Sequence, residues 1–266
     1  MFERVGFIGT GNMGSAVAKA VCASRLAKEI YLSNRTPAKA EALAKELGTG
    51  IVTTNEDIAA RCDLIFLGVK PQVMPQMLAG IADTLARRET QVVLATMAAG
   101  LTCQRIGELA RTGCPIIRFM PNIPVALGAG VVQYCGKYVT QEQMDDFAAL
   151  LMPAGLVDPL DESLMDAASC VSGCGPAFAD IFLEALADGG VACGLPRDKA
   201  MKYAAQMLEG AARMALESGR HPGALKDAVC SPGGTTIQGV RKLEESGFRA
   251  AAMNAVIAAY EKTLGL

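Results

Sequence analysis

Residues 4–25 read RVGFIGTGNMGSAVAKAVCASR, and three patterns follow one another there without a break. RVGFI is a short apolar run of strand length. Gly9, Gly11 and Gly14 then form G-x-G-x-x-G, and SAVAKAVCASR continues as a helical run. The glycine spacing alone is weak evidence. Strand, glycines and helix in this order are the context that a dinucleotide requires: a tight turn, close backbone approach to pyrophosphate, and free amides at a helix N-terminus.

Outward from that turn, as far as about Leu160, short apolar runs alternate with helical patterns. The runs are RVGFIG, EIYLSN, DLIFLGV, QVVLATM, PIIRFM and GVVQYC, with a weaker one at GLVDPL. This alternation predicts an α/β fold, a mostly parallel sheet with crossover helices, over residues 1–160. After Leu160 the strand signals stop, and Ala, Met and Leu recur at helical spacing between Gly and Pro breaks, so residues 161–266 are expected to be all helix. The hinge is expected in the short stretch Asp158 to Glu162. Segments such as AAQMLEGAARMAL offer mainly small apolar surface, which favours association with a second subunit, and a homodimer through the C-terminal half is the expectation.

Composition excludes several classes. Lys plus Arg is 25 against 27 Asp plus Glu, a net charge of −2, which leaves no electrostatic footprint for nucleic acid or a membrane surface. The N-terminus has no signal-peptide pattern and nowhere do about 18 apolar residues run uninterrupted, so a cytoplasmic protein is expected. Nine cysteines scattered among Ala-rich segments read as small apolar residues kept reduced. Cys170 and Cys174 have C-x3-C spacing without a second half, and His221 is the only histidine, so no metal site is expected. With no Ser-His or Cys-His pair, acyl transfer has no support, and Lys199, Lys202 and Lys226 read as solvated faces. An imine substrate eases the need for a strong general acid, since a protonated C=N accepts hydride readily.

An acid about 20 residues beyond the last glycine holds the ribose in sites that prefer NAD. Asn34 occupies that position, between Ser33 and Arg35, and these groups suit a 2′-phosphate; NADP is the expected cofactor, with NAD the alternative. Two further strand ends, Val69-Lys70-Pro71 and Met97 to Gly100, fall at the carboxyl edge where such a sheet binds its ligand. Lys70 is open to three readings: facing phosphate, pairing locally, or plain surface. Far downstream, residues 230–245 read CSPGGTTIQGVRKLEE. Thr235 or Thr236 is expected to cap the helix that follows, and the glycine pair leaves amides free to converge on a small carboxylate.

HPGALKDAVCSPGGTTIQGVRKLE resembles the signature of the pyrroline-5-carboxylate reductases, and FIGTGNMG, LSNR, FLGVKPQ, AAG, RFMPNIP, VSGCGPAF and LADGGVACGLPR agree with that family in order. The resemblance implies NAD(P)H-dependent reduction of 1-pyrroline-5-carboxylate to L-proline, a Rossmann-like N-terminal domain and a helical C-terminal dimerisation domain. It implies that Ser231, Gly234 and Thr235 hold the substrate carboxylate, and that Thr236 bonds the ring nitrogen as candidate proton donor. It places Gly9, Thr10, Gly11, Asn12, Met13 and Gly14 on the pyrophosphate, Ser33 and Arg35 near the adenosine phosphate, and Asn55 by the adenine ribose. Val69, Lys70, Pro71 and Ala99 complete the cofactor contacts, with Asn122 and Pro176 lining the active site less directly. Cys174 and Cys230 stand where serine or threonine is usual in the family, and both read as packing. The competing readings are another NADP-dependent imine or 3-hydroxyacid reductase of the same two-domain form, and a non-enzymatic NADP sensor.

Overall fold

Each expected apolar run forms a strand in the computed structural model, which describes residues 1–265. In chain order these are Arg4–Ile8 (β1), Glu29–Ser33 (β2), Ile51–Val52 (β3), Leu64–Leu67 (β4), Val93–Thr96 (β5), Ile116–Pro121 (β6), Gly130–Lys137 (β7) and Gly155–Pro159 (β8). The two-residue β3 had no sequence signal because it is too short for any alternation to show. Between them lie helices Asn12–Ser24 (α1), Pro37–Leu47 (α2), Asn55–Arg61 (α3), Met74–Ala86 (α4), Cys103–Ala110 (α5) and Gln141–Leu151 (α6). The sheet order is β3-β2-β1-β4-β5-β6-β7-β8, and every pair is parallel except β6 with β7. That exception has a simple cause. Only a short segment with one 3-10 turn, Ile123–Leu127, joins β6 to β7, whereas a parallel return needs a dozen or more residues.

Both faces of the sheet are covered, which is why β4 and β5 are buried along their whole length and read as continuous apolar runs. On one face Phe7, Phe66 and Phe119 meet α1 and Phe147 of α6, with Phe7 and Phe66 stacked at 4.7 Å between ring centroids. On the other, Ile58, Leu78 and Ile106 bring in α3, α4 and α5.

Cys62 lies in this second layer, wholly buried, and its thiol is pushed from the usual 9.0 up to about 12, by burial first and by Asp63 second. The folded chain therefore keeps this proton where the unfolded chain releases it. The stabilisation is complete below about pH 9 and is lost as pH climbs toward about 12. Native protein at pH 9 is expected to alkylate at the exposed Cys193 and to spare Cys62; equal labelling of the two by peptide mapping would refute this.

The C-terminal part is all helix, as expected: Met165–Ser172 (α7), Gly175–Ala192 (α8), Arg197–Ser218 (α9), Pro222–Ala228 (α10), Thr235–Glu245 (α11) and Phe248–Leu264 (α12). The chain divides into two compact units, but the division differs from the expected one. The first unit is Met1–Gly173 with the end of α12 from Tyr260, and the second is Cys174–Ala259. Residues 158–162 are thus no hinge. Asp158 and Pro159 belong to β8, and α7 is tied to the sheet by Asp166, which pairs with the buried Arg118, and by Ser172, whose carbonyl and hydroxyl accept from Asn122 Nδ2 and Gln133 Nε2 at 3.0 and 2.8 Å.

Within the second unit α8 packs on α9 where Gly190 meets Ala200, and Phe182 meets Phe248 at 5.2 Å. Only Ala187, Ala200 and Ala204 of this unit are buried.

Candidate active site

The three glycines of the first turn serve different ends. Gly9 has φ +101°, and a Cβ there would lie 2.6 Å from the Gly68 carbonyl oxygen just past β4. A Cβ on Gly14, in the first turn of α1, would lie 2.2 Å from the Gly9 carbonyl oxygen. On Gly11 it would meet nothing within 4 Å, so the fold itself does not need glycine there. Gly11 is the cap residue of α1 and has no side chain to satisfy the helix amides. Thr10 is buried, with its amide held by Asn34 Oδ1 at 3.2 Å and its hydroxyl left without a partner. An open cradle, an orphaned hydroxyl and free helix amides fit a dinucleotide pyrophosphate. Asn12 and Met13 follow directly in α1, the first exposed and the second half-buried.

At the end of β2, Ser33 is buried and its hydroxyl donates to Asn55 Oδ1 at 2.7 Å. Asn34 is committed to the loop itself, accepting from the Thr10 amide and donating to the Thr36 carbonyl. One of its two Nδ2 protons stays open to a 2′-phosphate, and Arg35, exposed and without a partner among the described residues, carries the free charge there. Val69, Lys70 and Pro71 follow β4, and Ala99 follows β5 beside the buried Ala98. Of the three readings for Lys70, local pairing falls away, since its ammonium has no partner among the described residues. These positions all lie beyond the carboxyl ends of β1, β2, β4 and β5, with β1 flanked by β2 and β4 at the point where the strand order reverses.

In the second unit, α11 begins at Thr235 with Gly234 as its cap residue and no side chain closing it. Neither threonine caps the helix, against expectation. They occupy its first two positions, inside the turn whose amides a capping side chain would have to reach from outside. The chain reverses at Gly233, φ +70°, and the Gly234 amide donates to the Ser231 carbonyl at 3.0 Å. A Cβ on Gly234 would lie 2.3 Å from Ser231 Oγ. The exposed hydroxyls of Ser231, Thr235 and Thr236 have no partner among the described residues. Open first-turn amides and an adjacent free hydroxyl suit a small carboxylate.

Two further expected residues lie on helix starts and anchors. Asn122 accepts from the Val131 amide at 2.9 Å and donates to the Ser172 carbonyl, so it anchors α7. Pro176 is half-buried in the first turn of α8. Two features had no counterpart in the sequence reading. Arg118, 1% exposed in the middle of β6, pairs with Asp166 and lies 3.8 Å from Glu162, with Nε unpartnered; the charge inside the apolar run IIRFM was the one available signal. Cys103, Cys135 and Glu162 also converge, and the Cys103 thiol is pushed up by its hydrogen bond with Cys135 and by burial.

Known proteins resemble this chain in sequence and fold. Residues 162–266 match the family model for pyrroline-5-carboxylate reductase dimerisation, and residues 4–99 match that for coenzyme F420-dependent NADP oxidoreductase. The pyrroline-5-carboxylate reductase of Escherichia coli K12 is 40% identical over 99% of this chain and 98% of its own length. The solved pyrroline carboxylate reductase of Plasmodium falciparum with NADP bound aligns over 98% of this chain and 96% of its own, at TM-score 0.85 and 31% identity. That of Coxiella burnetii aligns over 98% and 97%, at TM-score 0.90 and 29% identity. A 3-hydroxyisobutyrate dehydrogenase of Mycobacterium tuberculosis shares the fold alone, with TM-score 0.54 and 14% identity over 72% of this chain and 65% of its own. With full-length identity at this level and both the glycine turn and the SPGGTT loop in place, the chain belongs to the pyrroline-5-carboxylate reductase family.

Proposed function

We infer that this protein reduces 1-pyrroline-5-carboxylate to L-proline with NAD(P)H, the last step of proline biosynthesis. The observation that carries the reading is the uncapped start of α11, where Ser231, Gly234 and the free amides form a receptor for one small carboxylate. NAD(P)H would supply the hydride, and Gly9 to Gly14 would hold its pyrophosphate, Arg35 its adenosine 2′-phosphate and Ala99 its nicotinamide. The imine carbon takes the hydride and the ring nitrogen ends protonated, as the secondary amine of proline. Thr236 holds the ring nitrogen through its hydroxyl, and Ser231, Gly234 and Thr235 hold the acid group. Each anchor fixes one end of a small ring, so positioning supplies much of the rate. The test is NADPH oxidation with pyrroline-5-carboxylate, a six-membered ring analogue and a 3-oxo acid in parallel. The five-membered imine is expected to turn over; activity with the oxo acid alone would favour a 3-hydroxyacid dehydrogenase, and activity with none a sensor.

The working unit is a homodimer assembled through the C-terminal half. The second unit buries only three alanines, while Ile181, Tyr203, Met207, Met214 and Leu216 are exposed, so its helices lack a core of their own. The stretch Glu162–Ala192 contains an 18-residue window apolar enough by length and composition to cross a membrane, with mean hydropathy 1.3. Asp180, Glu184 and Asp188, at four-residue spacing, put a polar stripe along α8, which suits a helix with one face against protein. Sedimentation is expected to show the dimer at micromolar concentration, and a single species near the chain mass of 27.7 kDa would overturn it. A cytoplasmic location accords with nine unbridged cysteines.

A further inference from the structure

Three side chains from distant parts of the first unit meet beside β7. Cys103 is the first residue of α5, Cys135 lies in β7, and Glu162 opens the 3-10 turn ahead of α7. Their two sulfurs and a carboxylate oxygen all lie within 4.8 Å of one another. Cys103 and Cys135 are 1% and 7% exposed, whereas the Glu162 side chain keeps 35% of its surface in solvent. Cys135 and Glu162 also line a cavity of about 500 Å³, with Tyr134, Met144 and Asp161 on its wall.

We propose that Cys103, Cys135 and Glu162 form a binding site for a thiophilic divalent cation of the zinc class. Two sulfurs and one oxygen are the donor set that such an ion selects, and three protein ligands leave a fourth position for water from the cavity. At Zn–S distances of about 2.3 Å, sulfurs in a tetrahedral site lie roughly 3.8 Å apart, so a small rotation of the side chains closes the shell. Glu162 is already oriented by its neighbours: Oε1 accepts the Cys103 amide at 2.7 Å and faces the Arg118 guanidinium at 3.8 Å. Such outer partners are what fix a ligating carboxylate. Arg118 does not exclude the ion, because Asp166 pairs with it directly, and the two thiolates and Glu162 bring three negative charges to a divalent ion, leaving a net −1 that the nearby guanidinium offsets. On binding, each thiol gives its proton to solvent and its sulfur bonds to the ion, with no change of oxidation state. The site ties the start of α5, four residues beyond Ala99, to β7 and to the approach to α7.

The test uses the full chain, reduced, stripped with chelator, dialysed against zinc sulfate and passed through gel filtration. About one zinc per chain is expected to remain. Cys103→Ser/Cys135→Ser should weaken retention by at least the roughly 10–100-fold that loss of a mere outer partner costs, while Cys193→Ser should leave it unchanged. Should the double variant misfold, the wild type still decides: zinc uptake should release about two protons per ion bound, one from each thiol, and uptake without proton release would place the ion elsewhere. Absence of retained zinc, retention undiminished in a folded double variant, or a Cys103–Cys135 disulfide forming despite stoichiometric zinc would each overturn the proposal.

Discussion

Gly14→Ala is expected to lower NADPH affinity by roughly 100-fold or more, about 2.7 kcal/mol, and to lower the melting temperature as well. The added Cβ would sit 2.2 Å from the Gly9 carbonyl oxygen, a backbone atom that no rotamer change can move aside. Relief requires shifting either α1 or the turn itself, and both carry the amides that receive the pyrophosphate. Gly11→Ala is the informative partner. Its Cβ meets nothing within 4 Å, so the fold should melt as the parent does, yet the room it takes is the room expected for the ligand. Fluorescence titration should show a loss of about tenfold or more for Gly11→Ala with stability unchanged. NADPH binding equal to the parent in that variant would mean the cradle is not the pyrophosphate site.

Thr236→Ala is expected to cut kcat about 100-fold or more if its hydroxyl donates the proton, with a smaller change in KM. The hydroxyl is exposed at the second residue of α11, is not spent on capping and has no partner among the described residues. Helix stability should barely respond, since no capping bond is lost. Thr236→Ser keeps the hydroxyl and should recover most of the rate. A fall of less than roughly threefold in Thr236→Ala would reduce the residue to a positioner of the ring.

The contrast between these two sites shows what kind of information a sequence carries. The glycine turn and the SPGGTT loop were legible because each is one continuous stretch whose chemistry depends on residues a few positions apart. What Thr235 and Thr236 do was misread at that level. Capping by either is locally plausible, and only the observed start of α11 at Thr235 shows that Gly234 holds the cap position. Asn34 is a similar case. Its Oδ1 accepts from the Thr10 amide, 24 residues away, a contact that no local pattern shows.

The sequence by itself determined the strands from β1 to β8 except β3, the change to an all-helical C-terminal part, and the two glycine turns that open α1 and α11, because periodicity and turn chemistry act over a few residues. Tertiary structure alone decided that β7 runs antiparallel to β6, that α7 belongs with the sheet, and that the second unit starts at Cys174. It alone joined Arg118 to Asp166 and brought Cys103, Cys135 and Glu162 within 4.8 Å. Contacts of that kind link residues tens of positions apart, and since each strand or helix satisfies its own pattern without them, they leave no periodic mark in the chain.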